Sequence, residues 1–360
     1  MNLSGPRALV LTLSATRRRL LGLTSAGIVT LTAGRRSFDV LAQDASPTAC
    51  ASTTTDESIA VATAYFDAFN NGDADALGDL LAADYRHHGA LVKDQDRDLH
   101  IQRLLTNLAA FPDGHYEIED ITANGDLVAV RHIFSGTLQG EYAGVQPAGQ
   151  PVKVRAVHIH KVECGQIVET WNSGDGLGVL RQIGALPPAG ASPRTPIDEI
   201  ASPVGSPAAD CPPGTPDENV AIASHWTEAL DRHAVDELDE FVAENMIHHN
   251  GLYLDTNGRD EVKANLEALI ASFPDVRFSV DVVVADDDSA VVRWTGRGTN
   301  DGDFQGNPPT GIAVTFTGIN SYHIVCGQMV EGWSDVDSLQ LLQQLGLVPM
   351  VFPGPATPTS

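Results

Sequence analysis

The chain repeats one pattern of residues, with motifs in its first half returning in the same order in its second half. The clearest recurrences, with the separation in parentheses, are His87-His88 and His248-His249 (161), Phe111-Pro112-Asp113 and Phe273-Pro274-Asp275 (162), Cys164-Gly165 and Cys326-Gly327 (162), and Trp171 and Trp333 (162). A near-constant separation over so many motifs indicates two copies of one folding unit. Residues that both copies share are candidates for a common role, and residues that differ are candidates for a divided one.

The length of the repeat predicts two domains rather than a solenoid. Solenoid repeats run roughly 20–50 residues, whereas a unit of about 100–150 residues can bury a core of its own. We therefore expect a leader, a domain, a linker, a second domain and a tail. The predicted bounds are an export signal over 1–42, a disordered segment containing Cys50 over 43–55, domain 1 over 56–186, a Pro/Ala/Ser-rich linker over 187–216, domain 2 over 217–350 and a disordered tail over 351–360.

The leader is typical of a twin-arginine export signal. A basic cluster at Arg17–Arg19 is followed by the uncharged, weakly apolar segment Leu20–Gly34, and Val40–Ala42 fits a small-residue cleavage site. The uncharged segment is short for a membrane span, which needs roughly 20 residues. The alternative of an uncleaved anchor is therefore disfavoured, and we expect an exported, extracytoplasmic or secreted protein.

The four cysteines agree with export. Cys50 and Cys211 each precede the first helix of a copy, and Cys164 and Cys326 occupy one hairpin position. Four cysteines allow three pairings, of which the repeat favours Cys50–Cys164 and Cys211–Cys326. Disulfides persist in oxidising compartments, so the pattern predicts a protein that functions outside the cytoplasm.

The net charge excludes several classes of partner. The chain carries a formal net charge of −25. The first 42 residues contain six arginines and one aspartate, so their removal would leave 16 basic and 46 acidic side chains. Such a surface repels phosphate backbones and anionic membranes. We expect no nucleic-acid partner and no membrane contact beyond the export signal.

The order of predicted elements indicates the fold class. In copy one, apolar spacing predicts helices over Glu57–Asn70 and Leu99–Phe111. Strand-like runs then cover 115–122, 127–138, 152–163 and 166–171, before a last helix over 177–183. Copy two follows the same order. Helices followed by antiparallel strands are α+β, and we predict two tandem cone-shaped α+β barrels, each with a curved antiparallel sheet around helices and an interior pocket.

Several motifs resemble one family. They are Asp84-Tyr85-Arg86-His87-His88, the Phe-Pro-Asp that ends the third helix, the Gly-rich loop Gly302–Gly311, and Glu331–Asp337. Together they resemble the SnoaL-like polyketide (ester) cyclases, which share the cone-shaped fold of nuclear transport factor two. The resemblance covers both copies, although Gln146–Gly149 of copy one departs from the Gly-rich loop.

The resemblance implies general acid/base catalysis without a cofactor or metal. In the family, the aspartate that follows the last strand moves a proton on carbon, and Asp175 and Asp337 occupy that position. Such chemistry needs a carboxylate shielded from water. Each aspartate also lies where a helix N-cap would, and the two roles can coexist.

Other shared residues are candidates for the pocket. By family position we expect His88 and His249 to face it as further catalytic groups, since strand alternation sends the two histidines of each pair to opposite faces. Arg131 and Arg293 could hold a substrate oxygen if they face inward, and Trp171 and Trp333 could form the pocket wall. The alternatives are structural histidines, solvated arginines and core tryptophans.

Two positions on one strand face differ between the copies. His158 and His160 share that face in copy one, and Asn320 and Tyr322 occupy it in copy two, so this divergence could tune the two pockets to different ligands. With His88, these histidines could also suggest a metal site, but copy two lacks both, so we predict none.

Two classes of function remain open. The first is a cyclase-, isomerase- or lyase-type enzyme acting on a small apolar carbonyl or polyketide-like compound. The second is a non-catalytic extracytoplasmic module that binds a small apolar ligand or a partner. Epoxide hydrolysis on the same fold is a third possibility. Proteins of this fold commonly pair sheet to sheet, so we expect either an internal pseudo-dimer of the two domains or a homodimer.

Overall fold

The computed structural model describes residues 52–89, 95–187, 211–253 and 255–350. The predicted export signal, Cys50, most of the predicted linker and the predicted tail lie outside the described residues. None of the helices in the described ranges has the length and hydropathy of a membrane span.

Domain 1 consists of four helices and a six-stranded sheet. Its helices are α1 (Thr55–Asn70), α2 (Ala74–Leu80), α3 (Arg97–Ala110) and α4 (Gly176–Gln182). Its strands are β1 (Leu81–His88), β2 (Gln95–Asp96), β3 (His115–Asn124), β4 (Leu127–Thr137), β5 (Pro151–Glu163) and β6 (Gln166–Gly174).

Domain 2 repeats this order, with a 3₁₀ turn at Val235–Glu237 before its second helix. Its helices are α5 (Pro216–Asp231), α6 (Leu238–Phe241), α7 (Arg259–Ser272) and α8 (Ser338–Gln344). Its strands are β7 (Val242–Asn250), β8 (Thr256–Asn257), β9 (Arg277–Ala285), β10 (Ser289–Thr299), β11 (Ala313–Val325) and β12 (Gln328–Val336). The α+β class and the two tandem domains are confirmed.

The sheets are not wholly antiparallel. Their strand orders are β2-β1-β6-β5-β4-β3 and β8-β7-β12-β11-β10-β9, and β1–β6 and β7–β12 run parallel. The expectation of a purely antiparallel sheet is wrong because the short extended piece after the second helix joins the sheet beside the last strand. This pairing places the histidine pair of each domain next to the strand that leads to the candidate aspartate.

Local sequence explains where the elements begin and turn. Thr54 and Glu57 form a reciprocal capping box at α1, and Thr215 and Glu218 form the same box at α5. The β5–β6 hairpin turns through Cys164 and Gly165, and its counterpart turns through Cys326 and Gly327; all four residues have positive φ angles, as a tight hairpin turn requires.

Disulfide bonds attach to both hairpins. Cys211 bonds Cys326 at a sequence separation of 115, which confirms the pairing predicted for domain 2. Cys164 is disulfide-bonded as well, while its predicted partner Cys50 lies outside the described residues. Closing a loop of this length stabilises a fold by about 4 kcal/mol in the chain-entropy model.

Helix α1 packs its apolar side on the concave face of the domain 1 sheet. Ala62, Phe66 and Phe69 lie in one buried cluster with Val128 and Val130. The residues of the sheet that alternate with this cluster point to its opposite face. One face of the sheet thus borders the interior of domain 1, and the other is available for a neighbour.

The opposite faces of the two sheets pack against each other. Val157 and Ile159 of domain 1 form a buried cluster with Val284, Val291 and Ile319 of domain 2. Hydrogen bonds that cross the contact include one from the Ser173 hydroxyl to the Asp335 carbonyl at 2.7 Å and one between the hydroxyls of Thr122 and Ser289 at 2.8 Å. This inter-domain face therefore has an apolar cluster at its centre.

Candidate functional site

Domain 1 encloses a cavity of about 170 Å³. Strands β1, β4, β5 and β6 supply its floor, helix α3 covers it, and the start of α4 closes one end. Its polar lining includes His87, His100, Arg103, His132, His158 and Asp175. The cavity therefore combines basic and acidic side chains inside one domain.

Five histidines form a connected array in and beneath this cavity. The imidazoles of His132 and His158 share a hydrogen bond of 2.8 Å. The ring centroid of His158 lies 5.6 Å from that of His160, and the rings of His87 and His100 lie 4.3 Å apart. We call these five residues the imidazole array.

The imidazole array is held in its uncharged form. Burial lowers the pKa of His100 to about 3 and that of His158 to about 4. Burial and the neighbouring imidazoles hold the pKa values of His87, His132 and His160 well below the usual range. Neutral imidazoles each carry one donor and one acceptor nitrogen, so the array can donate hydrogen bonds at neutral pH without carrying charge.

Some polar atoms of the array have no protein partner. His100 Nε2 shares a hydrogen bond with the Tyr65 hydroxyl at 2.9 Å, and His160 Nδ1 shares one with the Thr170 hydroxyl at 2.9 Å. Within the described ranges, however, His87 Nδ1, His132 Nδ1 and His160 Nε2 are buried without a hydrogen bond. Buried polar atoms are nearly always bonded in a folded protein, so the array has capacity for a ligand or water.

Asp175 lies at the α4 end of the cavity. Its Oδ1 accepts a hydrogen bond of 2.8 Å from the Gly178 amide, which makes it the N-cap of α4. Asp175 therefore lines the cavity and caps a helix at the same time, as the sequence allowed. Asp337 caps α8 in the same way, but it is buried and other residues line the domain 2 cavity.

The domain 2 cavity is smaller and more apolar. Its volume is about 50 Å³, and its walls include Trp226, Trp294 and Phe316. Some of its polar groups bond one another: His248 Nε2 and the Ser334 hydroxyl lie 2.8 Å apart, and Trp294 Nε1 donates to Asn320 Oδ1 at 3.1 Å. Among the described residues, three lining atoms are buried without a hydrogen bond, namely Thr227 Oγ1, His248 Nδ1 and Tyr253 Oη. No carboxylate and no arginine line it among the described residues.

The two cavities differ at matched positions. Applying the repeat separation to residues that line or adjoin the domain 1 cavity gives the residue that occupies each place in domain 2. The pairs are Tyr65 and Trp226, His100 and Val262, Arg103 and Asn265, His132 and Trp294, His158 and Asn320, and His160 and Tyr322. Titratable groups in domain 1 thus give way to bulky or neutral side chains in domain 2.

Two predicted pocket residues are placed as expected. His158 lines the cavity of domain 1, and Asn320 lines that of domain 2. The difference between the copies at this position therefore changes the chemistry of the two interiors.

The prediction that His88 and His249 face the pockets is wrong. The histidines of each pair do point to opposite faces, but His87 and His248 are the ones that line the cavities. His88 bonds Glu169 at 2.7 Å and stacks on Trp171. The reason is the register with β6, which pairs His88 with Trp171 on the outer face.

His249 has the same outward placement. Its Nε2 lies 3.0 Å from Glu331 and its Nδ1 lies 3.3 Å from Asp255, while its ring stacks on Trp333. Burial lowers its pKa, but the bonds to Asp255 and Glu331 outweigh burial, and the net pKa of His249 is raised.

Arg131, Arg293, Trp171 and Trp333 also lie on the outer faces, so their predicted place in the pockets is wrong. The guanidinium of Arg131 lies 3.9 Å from the centroid of the Trp333 ring in the other domain. Arg293 bonds Asp281, and Trp171 packs against the apolar cluster between the sheets. Alternation along each strand explains this, because their neighbours in sequence face the cavities.

Charged groups surround the inter-domain face. Arg131 bonds Glu119 at 2.8 Å, and His323 of domain 2 lies 3.2 Å from Asp120 of domain 1. Asp335 is buried nearby, and burial raises its pKa to about 6 although Arg155 and Arg131 oppose the shift. These groups hold two domains together and lie outside both cavities.

Sequence reasoning missed His87, His100, Arg103 and His132. The signal for two of them was available, because His100 and Arg103 are three residues apart and share one face of α3. Within the described ranges, no three ligating side chains are placed to hold a metal ion.

Comparison with known families places the chain. The family described as SnoaL-like polyketide cyclase matches residues 59–183 and 220–345, which is more than half of the chain. The protein therefore belongs to the SnoaL-like polyketide cyclase family and carries two copies of its domain.

Solved structures and curated proteins add the following. AclR from Streptomyces galilaeus, provisionally assigned as a hydroxylase, is 28% identical over 38% of this chain and 87% of its own, with a TM-score of 0.36. IdmH from Streptomyces antibioticus, provisionally assigned as a polyketide cyclase, is 32% identical over 35% of this chain and 98% of its own, with a TM-score of 0.33. A SnoaL-like protein from Jannaschia sp. CCS1 is 24% identical over 38% and 99%, with a TM-score of 0.35. No curated protein matches the chain.

Proposed function

We propose that domain 1 is an acid/base catalytic domain that acts on a small carbonyl compound, in the manner of a cyclase, isomerase or lyase. The observation that carries the proposal is that Asp175 and four histidines of the imidazole array line one cavity. Domain 2, whose cavity is small and lacks a carboxylate in its described lining, serves as the packing partner.

The residues have distinct roles in this proposal. The Asp175 carboxylate takes a proton from the carbon next to the carbonyl group. Neutral imidazole N–H groups, with His158 nearest the centre of the array, donate hydrogen bonds to the carbonyl oxygen as it gains negative charge. A neutral imidazole is a suitable donor for a developing enolate, and such proton transfer commonly contributes about 10²–10⁴-fold to a rate.

The cavity also sets the size of the compound. An engineered apolar cavity of roughly 150 Å³ holds one benzene ring, and the cavity of domain 1 is about 170 Å³. A compound with one ring or an equivalent branched chain fits this volume.

Proton abstraction can be tested directly. We would incubate the protein with acetophenone in deuterated buffer and follow loss of the methyl proton signal by NMR. Asp175→Asn should slow exchange by about 10²-fold or more while retaining the helix cap, because asparagine caps as well as aspartate. Asp337→Asn is the matched control and should exchange at the wild-type rate. Equal rates in all three proteins would contradict the proposal.

A second candidate function is ligand binding without catalysis. It is favoured by one observation, that the Asp175 carboxylate already accepts the Gly178 amide as a helix cap. In that case acetophenone would raise the melting temperature of wild type and Asp175→Asn equally, and neither would catalyse exchange.

We also propose that the chain is exported and that its two domains form an internal pair. The basic cluster Arg17–Arg19 and the Cys211–Cys326 disulfide support export, and the contacts across the inter-domain face support the pair. Replacing Arg17 and Arg18 by lysine should leave the protein in the cytoplasmic fraction. Light scattering should give the mass of one chain; a two-chain mass would contradict the internal pair.

A further inference from the structure

We infer that the ligand of the domain 1 cavity is an anion, a small carboxylate, whose charged group is bound by Arg103 together with His87 and His100. The inference rests on the proposed function, since it assigns the substrate class of the same cavity. It goes further by stating which end of the cavity receives which part of the ligand.

Arg103 is the first reason. It lines the cavity from α3, partly buried, and it has no carboxylate partner among the described residues. By contrast, three arginines outside the cavities are paired with carboxylates. Arg131 and Arg155 both bond Glu119, and Arg293 bonds Asp281. An unpaired guanidinium facing an enclosed space is unusual in a chain with 47 acidic and 22 basic side chains, and it is suited to binding a carboxylate.

The position of Asp175 is the second reason. In the sheet register, His87 pairs with Thr170, whereas Asp175 follows Gly174, which pairs with Ala156. Thr170 and Asp175 are five positions apart, which is about 16 Å along an extended backbone. The backbone positions of the basic and acidic groups therefore lie toward opposite ends of the cavity, and a carboxylate at Arg103 and His87 is bound at the end away from Asp175.

The imidazole array is the third reason. Burial and the neighbouring imidazoles lower the pKa values of its histidines, and the positive charge of Arg103 lowers those of His87 and His100 further. A bound carboxylate reverses this balance, since an opposite charge at close range favours the protonated imidazole. Binding should therefore take up protons from solution and weaken as pH rises.

Of the other groups that face the array, Arg103 opposes protonation of His87 and His100, and a carboxylate bound to its guanidinium would offset that charge. The titratable or charged groups that surround it are Tyr65 on α1, Tyr85 on β1, Arg103 on α3, Tyr116 on β3, Tyr142 between β4 and β5, and Asp175 before α4. Burial raises the pKa of each of these tyrosines above its usual value, so they remain uncharged. Asp175 is the one anion in this set.

Matched probes test the inference. Benzoate and benzamide have nearly the same shape and differ in charge, and both have the size of one ring. We would measure their binding to the disulfide-bonded protein by calorimetry at pH 6 and 7.5, in two buffers of different ionisation enthalpy. Benzoate should bind at least about tenfold more tightly than benzamide, as one charge-assisted contact predicts, with net proton uptake at pH 6.

The repeat supplies the matched variants. Arg103→Asn installs the residue that domain 2 carries at Asn265, and it should abolish the preference for benzoate while leaving benzamide binding unchanged. Arg103→Lys keeps the positive charge and should retain most of the preference. Melting temperatures of both variants would establish that they are folded.

The possible results separate the two proposals. Equal binding of benzoate and benzamide, or a preference that survives in Arg103→Asn, would overturn the anion inference and leave the acid/base proposal intact. Failure of both probes to bind at millimolar concentration, with no acetophenone exchange, would overturn both.

Discussion

The two domains share one arrangement of strands and helices, but their cavities are lined by different side chains. In domain 1, His132 and Tyr65 occupy places that Trp294 and Trp226 occupy in domain 2. The enclosed volume falls from about 170 Å³ to about 50 Å³. The same strand order and register therefore support either a polar cavity or a filled core. The choice depends on a few side chains that point inward.

The difference has an energetic meaning. Large buried aromatic side chains stabilise a domain by the surface that they remove from water. Buried imidazoles without partners cost free energy unless a ligand satisfies them. Among the described residues, domain 1 has three such imidazoles, His87, His132 and His160, and domain 2 has one, His248, so we expect a ligand to stabilise domain 1 more than domain 2.

The largest expected difference between the domains is the loss of stability at acid pH. A histidine whose pKa is lowered on folding binds more protons when unfolded, so its contribution to stability is lost as pH falls below about 6.5, by about 1.4 kcal/mol per pH unit for each group. The loss continues towards the folded values, about 3 for His100 and about 4 for His158. Hydrogen exchange of domain 1 amides at pH 7 and pH 5 would measure it.

Domain 2 should respond less to acid. His248, with a pKa of about 4, destabilises it in the same direction. His249 and His323 have raised pKa values, so their stabilisation is fully present below about pH 6.5 and is lost as pH rises through the folded values. Equal acid sensitivity of the two domains would show that the imidazole array does not control this property.

The next largest expected difference is in the free energy of unfolding lost when the matched interior side chains are truncated to alanine. Trp294 is buried against Phe278 and Phe316, so Trp294→Ala should lower the free energy of unfolding by about 3–5 kcal/mol. His132→Ala, at the matched position, should cost about 1–2 kcal/mol, because the side chain borders an existing cavity. Urea unfolding of both variants would give the ratio; similar losses would mean that the domain 1 interior is as tightly packed as that of domain 2.

The smallest expected difference is in the stability lost when the matched arginines of the inter-domain face are replaced by alanine. Arg131→Ala removes the Trp333 contact and the bonds to Glu119 and Asp120, which should cost about 2 kcal/mol. Arg293→Ala removes one described carboxylate partner, Asp281, and should cost about 1 kcal/mol or less. Thermal unfolding at low salt would compare them, and a larger effect for Arg293 would reverse the assigned asymmetry.

The repeat was enough to predict the fold class, the tandem arrangement and the Cys211–Cys326 bond, because each depends on local spacing that both copies share. The cavity was harder to predict for a specific reason. Residues common to both copies, such as Trp171 and Trp333, attracted the functional assignment, yet they lie on the inter-domain face that the domains share. The residues that differ, such as His132 and Trp294, line the cavities.

Register decided the remaining errors. Alternation placed His87 and His88 on opposite faces, but it could not say which one faced inward. That choice depends on the parallel pairing of β1 with β6, a contact between residues about 80 positions apart in sequence (His88 pairs with Trp171). Arg103 was missed because its importance comes from the absence of a partner, which only the folded chain reveals.

The contact of Arg131 with Trp333 has a consequence for how such a protein can evolve. In a dimer of identical subunits, each substitution appears on both sides of the two-fold axis, so an arginine gained for one contact is also imposed on the other. Covalent fusion of the two copies removes that constraint. Each half can acquire mutations alone, and one half can specialise in chemistry while its sibling preserves the scaffold.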